Sequence, residues 1–522
     1  MLTTSPSRDW LVAVWLMGIG MACFAFFLPR WHDWNADSRL DLTAAIVNHG
    51  TLAIDAYHDN TGDDDFYRGH WYSSKDPGQA LAGVPVFLAF KGLVQIGPIG
   101  AFVNTLEANS AWKNAVADAA GKAPIGGGSL FPFLLSGRKT HKDFALLQYI
   151  ESLVTVAAPS ALFMGLFFWF LGLYSPSRAW RALLSLALGL STIVFAYSQQ
   201  FISHVPAAIL LFVGFALVQT LAREGGEPSR LRQFLRDHPS LTAGIAGAAL
   251  GFAVLFEYYC VLGAVCVAAY AVKKLRRRQV AVLVVAALPA LLIVLITNAL
   301  AYGSPLTTGY GCNEPVFKSQ NCQGISGFTL PPKLNALYGL TVSPFRGLFF
   351  LSPFLLAGIA GWVVAWRAKV EDRATCVVAT AVVVGTLLAI SMFGGWSGGS
   401  AVGARYLMPL VPFLVFGVVF VLRESRPWVS VLVALLIVAS TFEVWIETIG
   451  SRNYPSDLIA NPLFSYSLPA VTDGNFPLNL GNFVGLAGWN AVLVLPAILV
   501  GWSVVCLAAA LGHQVHSARL AG

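Results

Sequence analysis

The chain has 522 residues, of which 56% are hydrophobic and only 11% are charged, and its mean hydropathy is +0.67. An ordinary soluble domain has about 25% charged residues, so this composition excludes a protein whose main solvent is water. The net charge of +7 could suggest nucleic acid. In a membrane protein, however, Lys and Arg chiefly mark topology, and no nucleic-acid partner is expected.

Apolar runs long enough to cross a hydrocarbon core, about 20 residues, recur along the chain. They predict an all-α polytopic membrane protein with about 12 spans, within a range of roughly 11 to 13. The stretch 79–97 carries Pro85 and Lys91 and is better suited to an interfacial or re-entrant helix. The run 241–273 has room for two short helices with Glu257 at the turn. Expected spans lie at 10–28 (a retained first helix), 148–173, 180–198, 204–222, 241–273, 279–301, 347–366, 375–393, 405–422, 427–446 and 487–511.

Basic residues are distributed unevenly between the connecting loops. Beyond residue 170 most of them lie at 178–181, 223–236, 273–278, 367–373 and 423–426. Because cytoplasmic loops carry the excess of Lys and Arg, these loops and the C-terminus are predicted to be cytoplasmic. The segments predicted on the outer face of the inner (plasma) membrane are 29–78, 302–346, 394–404 and 447–486.

Two further features follow from this topology. Cys312 and Cys322 fall in one polar loop on the predicted oxidising side, where a disulfide can persist, so we expect a bridge between them. The other five cysteines lie in or beside apolar runs and are expected to be buried and free. The insert 98–143 is rich in Gly and Ala and is expected to form short amphipathic helices on the membrane surface.

The segment 29–78 holds the richest set of acidic, His and aromatic residues in the chain, PRWHDWNADSRLDLTAAIVNHGTLAIDAYHDNTGDDDFYRGHWYSSKDPG. A mere connector would not need these residues. Asp37 stands at the start of an expected amphipathic helix in which Leu40, Ala44 and Val47 share a face. A carboxylate is favourable at a helix N-terminus, so a purely structural N-cap is the alternative role for Asp37.

The order of these motifs resembles the GT-C glycosyltransferases, and most of all the bacterial relatives of protein O-mannosyltransferases and lipid A aminoarabinose transferases. A first membrane helix is followed by an acidic residue and Arg, a short helix, GTLAID, and then GHWYSSKDPG entering another apolar helix. In those enzymes the early acidic residue is the catalytic base, and a Lys in a Tyr-x-x-Lys-Pro-Pro-like segment contacts the phosphate of the lipid donor. The resemblance therefore assigns these roles to Asp37 and Lys75. Further matches are SPFRGLF, with Arg346, and GWSGG followed by GARYLMP, with Arg405.

The resemblance implies one membrane-embedded GT-C-like domain over residues 1–522. Its expected activity is inverting transfer of a sugar from a polyprenyl-phosphate donor, such as an undecaprenyl-phosphate sugar, to a glycan, lipid or protein acceptor on the outer face of the bilayer, without a cofactor. Many members have two adjacent acids at the catalytic position, whereas here Asp37 lies between Ala36 and Ser38. Asp41 and the Asp63–Asp65 cluster therefore remain rival bases.

Such a transfer needs a carboxylate to activate the acceptor hydroxyl and cations to stabilise the departing phosphate. Lys75, Arg346 and Arg405 are the expected phosphate ligands, although an Arg at the end of a membrane helix often only snorkels to the interface. The remaining candidates for substrate binding are Arg39, Asp41, His58, His70, Tyr72, Glu257, Trp396 and Tyr406.

The same loop could in principle hold a divalent metal ion, through His58, His70 and the three aspartates. The spacing matches no compact ligand motif, so Asp63–Asp65 are expected to form a solvated turn and no metal is expected. His204 and Asn298 are expected to be structural.

Two other functions compete with the enzyme. A transporter or flippase of a lipid-linked glycan should place ionisable residues at mid-membrane and usually shows internal repeats, whereas here the charged residues concentrate in loops. An inactive GT-C-like scaffold would not need the acidic residues and Lys of segment 29–78.

Overall fold

A computed structural model describes residues 9–30, 33–108, 141–175, 177–310, 314–424 and 426–521. These residues form a helical bundle with one two-stranded β-hairpin, which confirms the all-α polytopic fold class. The elements are α1 Asp9–Phe26, α2 Trp34–His49, β1 Asp64–Tyr67, β2 His70–Ser73, α3 Gly78–Leu93, α4 Gly97–Ala108, α5 His141–Ser152, α6 Ala158–Leu171, α7 Arg178–Leu190, α8 His204–Ala222, α9 Arg230–Asp237, α10 Pro239–Phe256, α11 Val261–Lys274, α12 Arg277–Tyr302, α13 Leu334–Thr341, α14 Leu355–Arg367, α15 Arg373–Met392, α16 Val411–Glu424, α17 Pro427–Ile449 and α18 Val494–Ala521. Shorter helical turns lie between them, among them Lys318–Asn321, Arg405–Leu410, Leu463–Ser467 and Leu480–Phe483.

Nine membrane-spanning candidates occur among the described residues. The pair α3 and α4 is bent by 108°, a geometry that suits the re-entrant or interfacial helix expected at 79–97. Three helices at predicted spans, α7, α11 and α14, have 13, 14 and 13 residues, fewer than the roughly 20 that a straight crossing needs. The total of about 12 spans, which includes these three, stays a prediction.

Ion pairs gather the predicted cytoplasmic loops at one end of the bundle. Arg181, on α7, lies 3.2 Å from Asp9 at the start of α1, and Arg223, after α8, lies 2.5 Å from Glu371 before α15. We call this end the basic end. Arg223 also lies over the ring of Tyr174, just before α7, so the four helix termini lie at one end of the bundle. The side of the membrane that this end faces stays a prediction.

Three of the predicted outer segments meet at the opposite end. Ser74 donates a hydrogen bond to Glu314 at 2.9 Å, which ties 29–78 to 302–346. The backbone N–H of Leu28 donates to the carbonyl of Leu478 at 2.8 Å, which ties the end of the first span to 447–486. These segments form the roof over the candidate active site.

Two predictions fall partly outside the described residues. Cys322 is disulfide-bonded, but Cys312, its expected partner, is not described. Cys23, Cys260 and Cys376 are free and buried, as expected. Cys266 and Cys506 are also free but only partly buried, so the expected burial is wrong for these two. Only α4 and the start of α5 represent the insert 98–143, so its interfacial character stays a prediction.

The two-sided arrangement predicts a labelling pattern in intact cells that express the protein. Ala460→Cys, an exposed position of segment 447–486, should react with a membrane-impermeant maleimide, whereas Glu224→Cys, exposed at the basic end, should react only after permeabilisation. Both are measured by mass-shift assay in a background without Cys266 and Cys506. The reverse pattern would contradict the predicted orientation.

Candidate active site

The first outer segment begins with α2, and the structure corrects where this helix starts. Asp33 is the N-cap, because its side chain accepts a hydrogen bond from the backbone N–H of Asn35 at 2.9 Å. Asp37 lies in the first turn instead, so the alternative reading of Asp37 as a cap is wrong. The expected one-sided amphipathic helix is also wrong, since every residue from Asn35 to Ala45 is buried.

Asp37 itself is 2% exposed and keeps one oxygen free. Gln148 of α5 donates a hydrogen bond to Oδ1 at 3.0 Å, while Oδ2 has no hydrogen-bond partner among the described residues. Burial raises the pKa of Asp37 well above its ordinary value, and the neighbouring carboxylates Asp41 and Asp33 raise it further. A carboxylate with an unpaired oxygen and a raised pKa has the properties of a general base.

The hairpin β1–β2 carries the aspartate cluster. Its turn residues Arg68 and Gly69 both have positive φ, 50° and 86°, as a two-residue hairpin turn requires. Asp64 pairs with Ser73 in the strand register. Asp63–Asp65 are 6%, 5% and 0% exposed, so the expected solvated turn is wrong: the hairpin folds these carboxylates inward against the chain that leads to Lys75.

Lys75 occupies the centre of a buried ionic cluster. Its Nζ lies 3.2 Å from Asp63 Oδ1 and 3.5 Å from Glu314 Oε1. Although burial favours the neutral amine, these two carboxylates raise the pKa of Lys75 above its ordinary value, so the side chain stays charged. Glu314 comes from the distant segment 302–346, and no sequence signal pointed to it.

Lys75 and Asp37 belong to the same cluster. Ser38, next to Asp37 on α2, has its Oγ 2.6 Å from Ser73 Oγ, and Ser73 Oγ in turn accepts the backbone N–H of Lys75 at 3.3 Å. Ser38 Oγ also contacts the carbonyl oxygen of Asp63 at 2.7 Å. The two residues therefore lie on one side of the bundle, joined by a short chain of hydrogen bonds.

The rival bases have different environments. Burial, with Asp63 and Glu314 as neighbours, raises the pKa of Asp64 to about 7. Asp65 accepts a hydrogen bond from the Tyr302 hydroxyl at 2.6 Å, and burial raises the pKa of Asp65 well above its usual range. Asp64 can therefore exchange a proton near neutral pH, and Asp65 keeps its proton to a higher pH than an ordinary aspartate does.

Arg405 is buried beside the cluster and is available to a ligand. Within the described residues its guanidinium makes no ion pair or hydrogen bond, and Nε is buried without a partner. Gly398, at φ 75°, leaves room for it, since a Cβ there would stand 2.9 Å from Nε. Burial raises the pKa of Asp33 although Arg405 opposes the shift, so the guanidinium lies within electrostatic reach of α2. Arg405 therefore does not snorkel to the interface.

Arg346 lies deeper in the roof and is already engaged. Its Nη2 donates to the carbonyl oxygens of Gly399 at 2.8 Å and Pro455 at 3.3 Å, and its Nη1 donates to Phe345 O at 3.1 Å. These bonds tie two loops together. Burial lowers the pKa of Arg346, although the nearby Tyr197 and Glu447 act in the opposite direction.

Glu257, at the break between α10 and α11, anchors a second buried network. Its Oε1 lies 3.5 Å from Arg39 Nη2 and 2.8 Å from His204 Nδ1, and Ser203 donates a hydrogen bond to the same oxygen. Burial opposes ionisation, but His204 and Arg39 outweigh it and lower the pKa of Glu257 to about 2. His204 therefore joins this network, a contact that the sequence did not indicate.

The candidates on the hairpin lie further out. His58 stacks on Trp71 with ring centroids 4.6 Å apart. His70 is 58% exposed and lies 2.8 Å from Asp55, away from Lys75. Tyr72 does approach the ionic cluster, since it lines a cavity of about 40 Å³ beside Lys75. Among the described residues no group of His, Cys, Asp and Glu side chains could hold a metal ion.

The two aromatic candidates in the GWSGG and GARYLMP segments, Trp396 and Tyr406, differ in position. Trp396 packs against Gly339, where a Cβ would meet its ring at 2.2 Å, and stands edge-on to Phe345 at 6.1 Å, so it serves the packing of the roof. Tyr406 stands edge-on to His204 at 5.3 Å. It also contributes to raising the pKa of Lys75, which places it between the two networks.

Asp76 is a further buried acid that sequence reasoning passed over. It is 1% exposed, and its Oδ2 accepts the backbone N–H of Tyr258 at 3.1 Å. Burial and the nearby Glu257 raise the pKa of Asp76 well above its ordinary value. Asp76 stands directly after Lys75 in the quoted motif, so its position alone could have indicated it.

Comparisons with known proteins give a single distant structural similarity. No family model matches the sequence, and no curated protein matches it. The structure is similar to the crystal structure of ArnT from Cupriavidus metallidurans bound to undecaprenyl phosphate, with a TM-score of 0.43 and 14% identity, over 96% of this chain and 77% of that chain. At this score and identity the similarity assigns neither residue roles nor a substrate.

Removal of the Glu257 carboxylate should destabilise the protein. Glu257→Gln leaves Arg39 buried without its anionic partner, so the free energy of unfolding should fall by about 3–5 kcal/mol. This loss is measured as a lower Tm in detergent. Glu443→Gln is the matched control, because Glu443 Oε2 has no hydrogen-bond partner among the described residues. Equal Tm values for the two variants would show that the Arg39–Glu257 contact carries no stability.

Proposed function

We propose that this chain is an inverting glycosyltransferase that takes a sugar from a polyprenyl-phosphate donor at the outer face of the inner membrane. The observation that carries the proposal is that Asp37, with a free carboxylate oxygen, lies in the same buried charged region as Lys75 and Arg405, since the Asp63 carboxylate is within electrostatic reach of all three. It lies at the end of the bundle opposite the arginine-rich basic end. The sequence resemblance to GT-C enzymes supports the same activity.

The donor brings its own leaving group, so the protein needs to neutralise charge on the departing phosphate. Arg405 is the more available cation, since none of its described neighbours pairs with it, and guanidinium suits bidentate contact with phosphate. Lys75 enters the reaction differently. Its ammonium is held by Asp63 and Glu314, so a donor phosphate reaches it either through its third N–H or by displacing one of these carboxylates.

Asp37 is the base in this proposal. Its Oδ2 accepts the proton of an acceptor hydroxyl as the oxygen attacks the anomeric carbon, and the phosphate departs from the opposite face, which inverts that centre. Gln148 holds Oδ1 and so directs Oδ2 toward the acceptor. Asp41, one turn further along α2, contributes negative charge that keeps Asp37 basic.

The same geometry favours an enzyme over a flippase. The ion pairs of Lys75, Arg39 and Glu257 gather where helices end and loops cover them. A transporter would place such groups at mid-membrane on several helices.

Loss of the Asp37 carboxylate should abolish transfer without unfolding the protein. Asp37→Asn keeps the hydrogen bond to Gln148 geometrically possible and removes the proton acceptor, so kcat should fall by about 10²–10⁴ while the Tm is unchanged or higher. Transfer is measured with a labelled polyprenyl-phosphate sugar. Asp41→Asn, equally buried on the same helix, is the control and should retain most of the activity.

The pH profile separates this role from a structural one. Because the pKa of Asp37 is raised and the base must be ionised, wild-type activity should decline on acidification at a higher pH than an ordinary carboxyl group would give. Asp41→Asn removes a negative neighbour and should shift this decline to lower pH. If Asp41→Asn abolishes transfer while Asp37→Asn is active, the base is Asp41 and the assignment is wrong.

Substitutions of the three cations should differ in their effects on the KM for the donor and on the Tm. Arg405→Gln removes an available phosphate ligand and should raise the KM for the donor by about tenfold or more, with little loss of Tm. Arg346→Gln should mainly lower the Tm, because it removes the hydrogen bonds to the carbonyl oxygens of Gly399 and Pro455. Lys75→Gln should both raise the KM for the donor and lower the Tm, since it also leaves Asp63 and Glu314 without their cationic partner. A donor KM unchanged by Arg405→Gln would exclude this arginine from the phosphate site.

A further inference from the structure

A groove opens on the outside of the bundle near its basic end. Helices α6 and α8 form its walls, and α9 lies across its mouth. The cavity is about 100 Å³, and its lining is dominated by Phe163, Phe167, Phe170, Phe212, Val213 and Leu217. An apolar cavity of this kind is a poor site for water.

The groove faces the hydrocarbon of the bilayer. Its walls, the segment Leu146–Leu171 and the helix His204–Ala222, are both candidate membrane spans, and Leu162 beside it is 49% exposed. On α9, Leu231 and Phe234 are 40% and 48% exposed, as expected for a helix lying in the membrane interface. The surroundings therefore supply acyl chains to the groove.

In the part of the chain that the structure describes, the arginines at the mouth of the groove form no ion pair with a carboxylate. Arg232 Nη2 donates to the carbonyl oxygen of Trp169 at 2.9 Å, and Arg236 Nε donates to that of Thr220 at 3.1 Å. Backbone carbonyls orient a guanidinium group but cancel none of its formal charge. Both arginines therefore stand at the polar end of an apolar groove with their charge intact.

Arg236 and Arg181 are the positively charged neighbours of Arg232 at the mouth. Burial, followed by repulsion from Arg236 and Arg181, lowers the pKa of Arg232 to about 10, although Glu227 and Asp9 act in the opposite direction. Asp9 is already engaged by Arg181 at 3.2 Å. The local field thus favours an anion.

We propose that this groove binds an anionic phospholipid of the leaflet at the basic end. One acyl chain lies along the partly exposed lining residues of α6 and α8, which include Leu166, Ala216 and Leu217. The phosphate lies at the mouth beside Arg232 and Arg236. A zwitterionic phospholipid offers the same chains but no net charge, so the arginines provide the selectivity. The site is separate from the candidate active site and does not depend on the proposed transferase activity.

The test uses the full-length protein in nanodiscs with photo-crosslinkable lipids. Phosphatidylglycerol and phosphatidylcholine, each with a diazirine in the same acyl position, are compared by peptide mapping of the cross-links. Ala216, on the groove wall, is changed to Trp to fill the cavity. Ala281→Trp, at an exposed position of α12, is the matched control for a bulky residue facing the bilayer.

Phosphatidylglycerol should label peptides of α6 and α8 at least about fivefold more than phosphatidylcholine, the factor expected from one uncompensated arginine near the membrane surface. Ala216→Trp should abolish this excess, and Ala281→Trp should preserve it. Equal labelling by the two lipids would overturn the proposal. An excess of phosphatidylglycerol labelling that persists in a folded Ala216→Trp variant would also overturn it. Undecaprenyl phosphate that competes better than phosphatidylglycerol would overturn the assignment to a diacyl lipid.

Discussion

The candidate site depends on the pairing of Lys75 with Asp63 and Glu314. The side chains of this triad are 8%, 8% and 1% exposed, and the removal of such ions from water costs several kcal/mol each unless they pair closely. The triad joins the start of the hairpin, the segment after it and a loop that lies 240 residues beyond Ser74. In the proposed reaction, a donor phosphate would therefore meet a Lys75 ammonium whose charge two carboxylates already balance.

Two arginines of similar burial show how neighbours decide a role. Arg346 and Arg405 are 1% and 7% exposed, and both come from motifs with the same family resemblance. Loop carbonyls surround Arg346, whereas Gly398 and the ring of Tyr406, 5.3 Å away, are the close neighbours of Arg405. Arg346 therefore holds the loops of the roof together, whereas Arg405 is available to a ligand.

The sequence predicted features that depend on local pattern, and missed those that depend on distant contacts. Apolar length located α1 and the break at Glu257, and residue chemistry identified 29–78 as the acidic segment. The start of α2 was misplaced because Asp33 and Asp37 are both acceptable near a helix N-terminus. Glu314 was not identified, and His204 was expected to be only structural, because their partners lie far along the chain. The hairpin was not predicted because its strands have only four residues each.

The burial of α2 on all sides has a consequence for biogenesis. Asp37 meets Gln148 across 111 positions of sequence, and Arg39 meets Glu257 across 218. A ribosome therefore delivers the acidic segment long before its partners, and its charges must stay hydrated at the membrane surface until later helices are inserted. The desolvated setting that makes Asp37 a strong proton acceptor is thus acquired late, so nascent chains pass through a long stage in which they are inserted but inert.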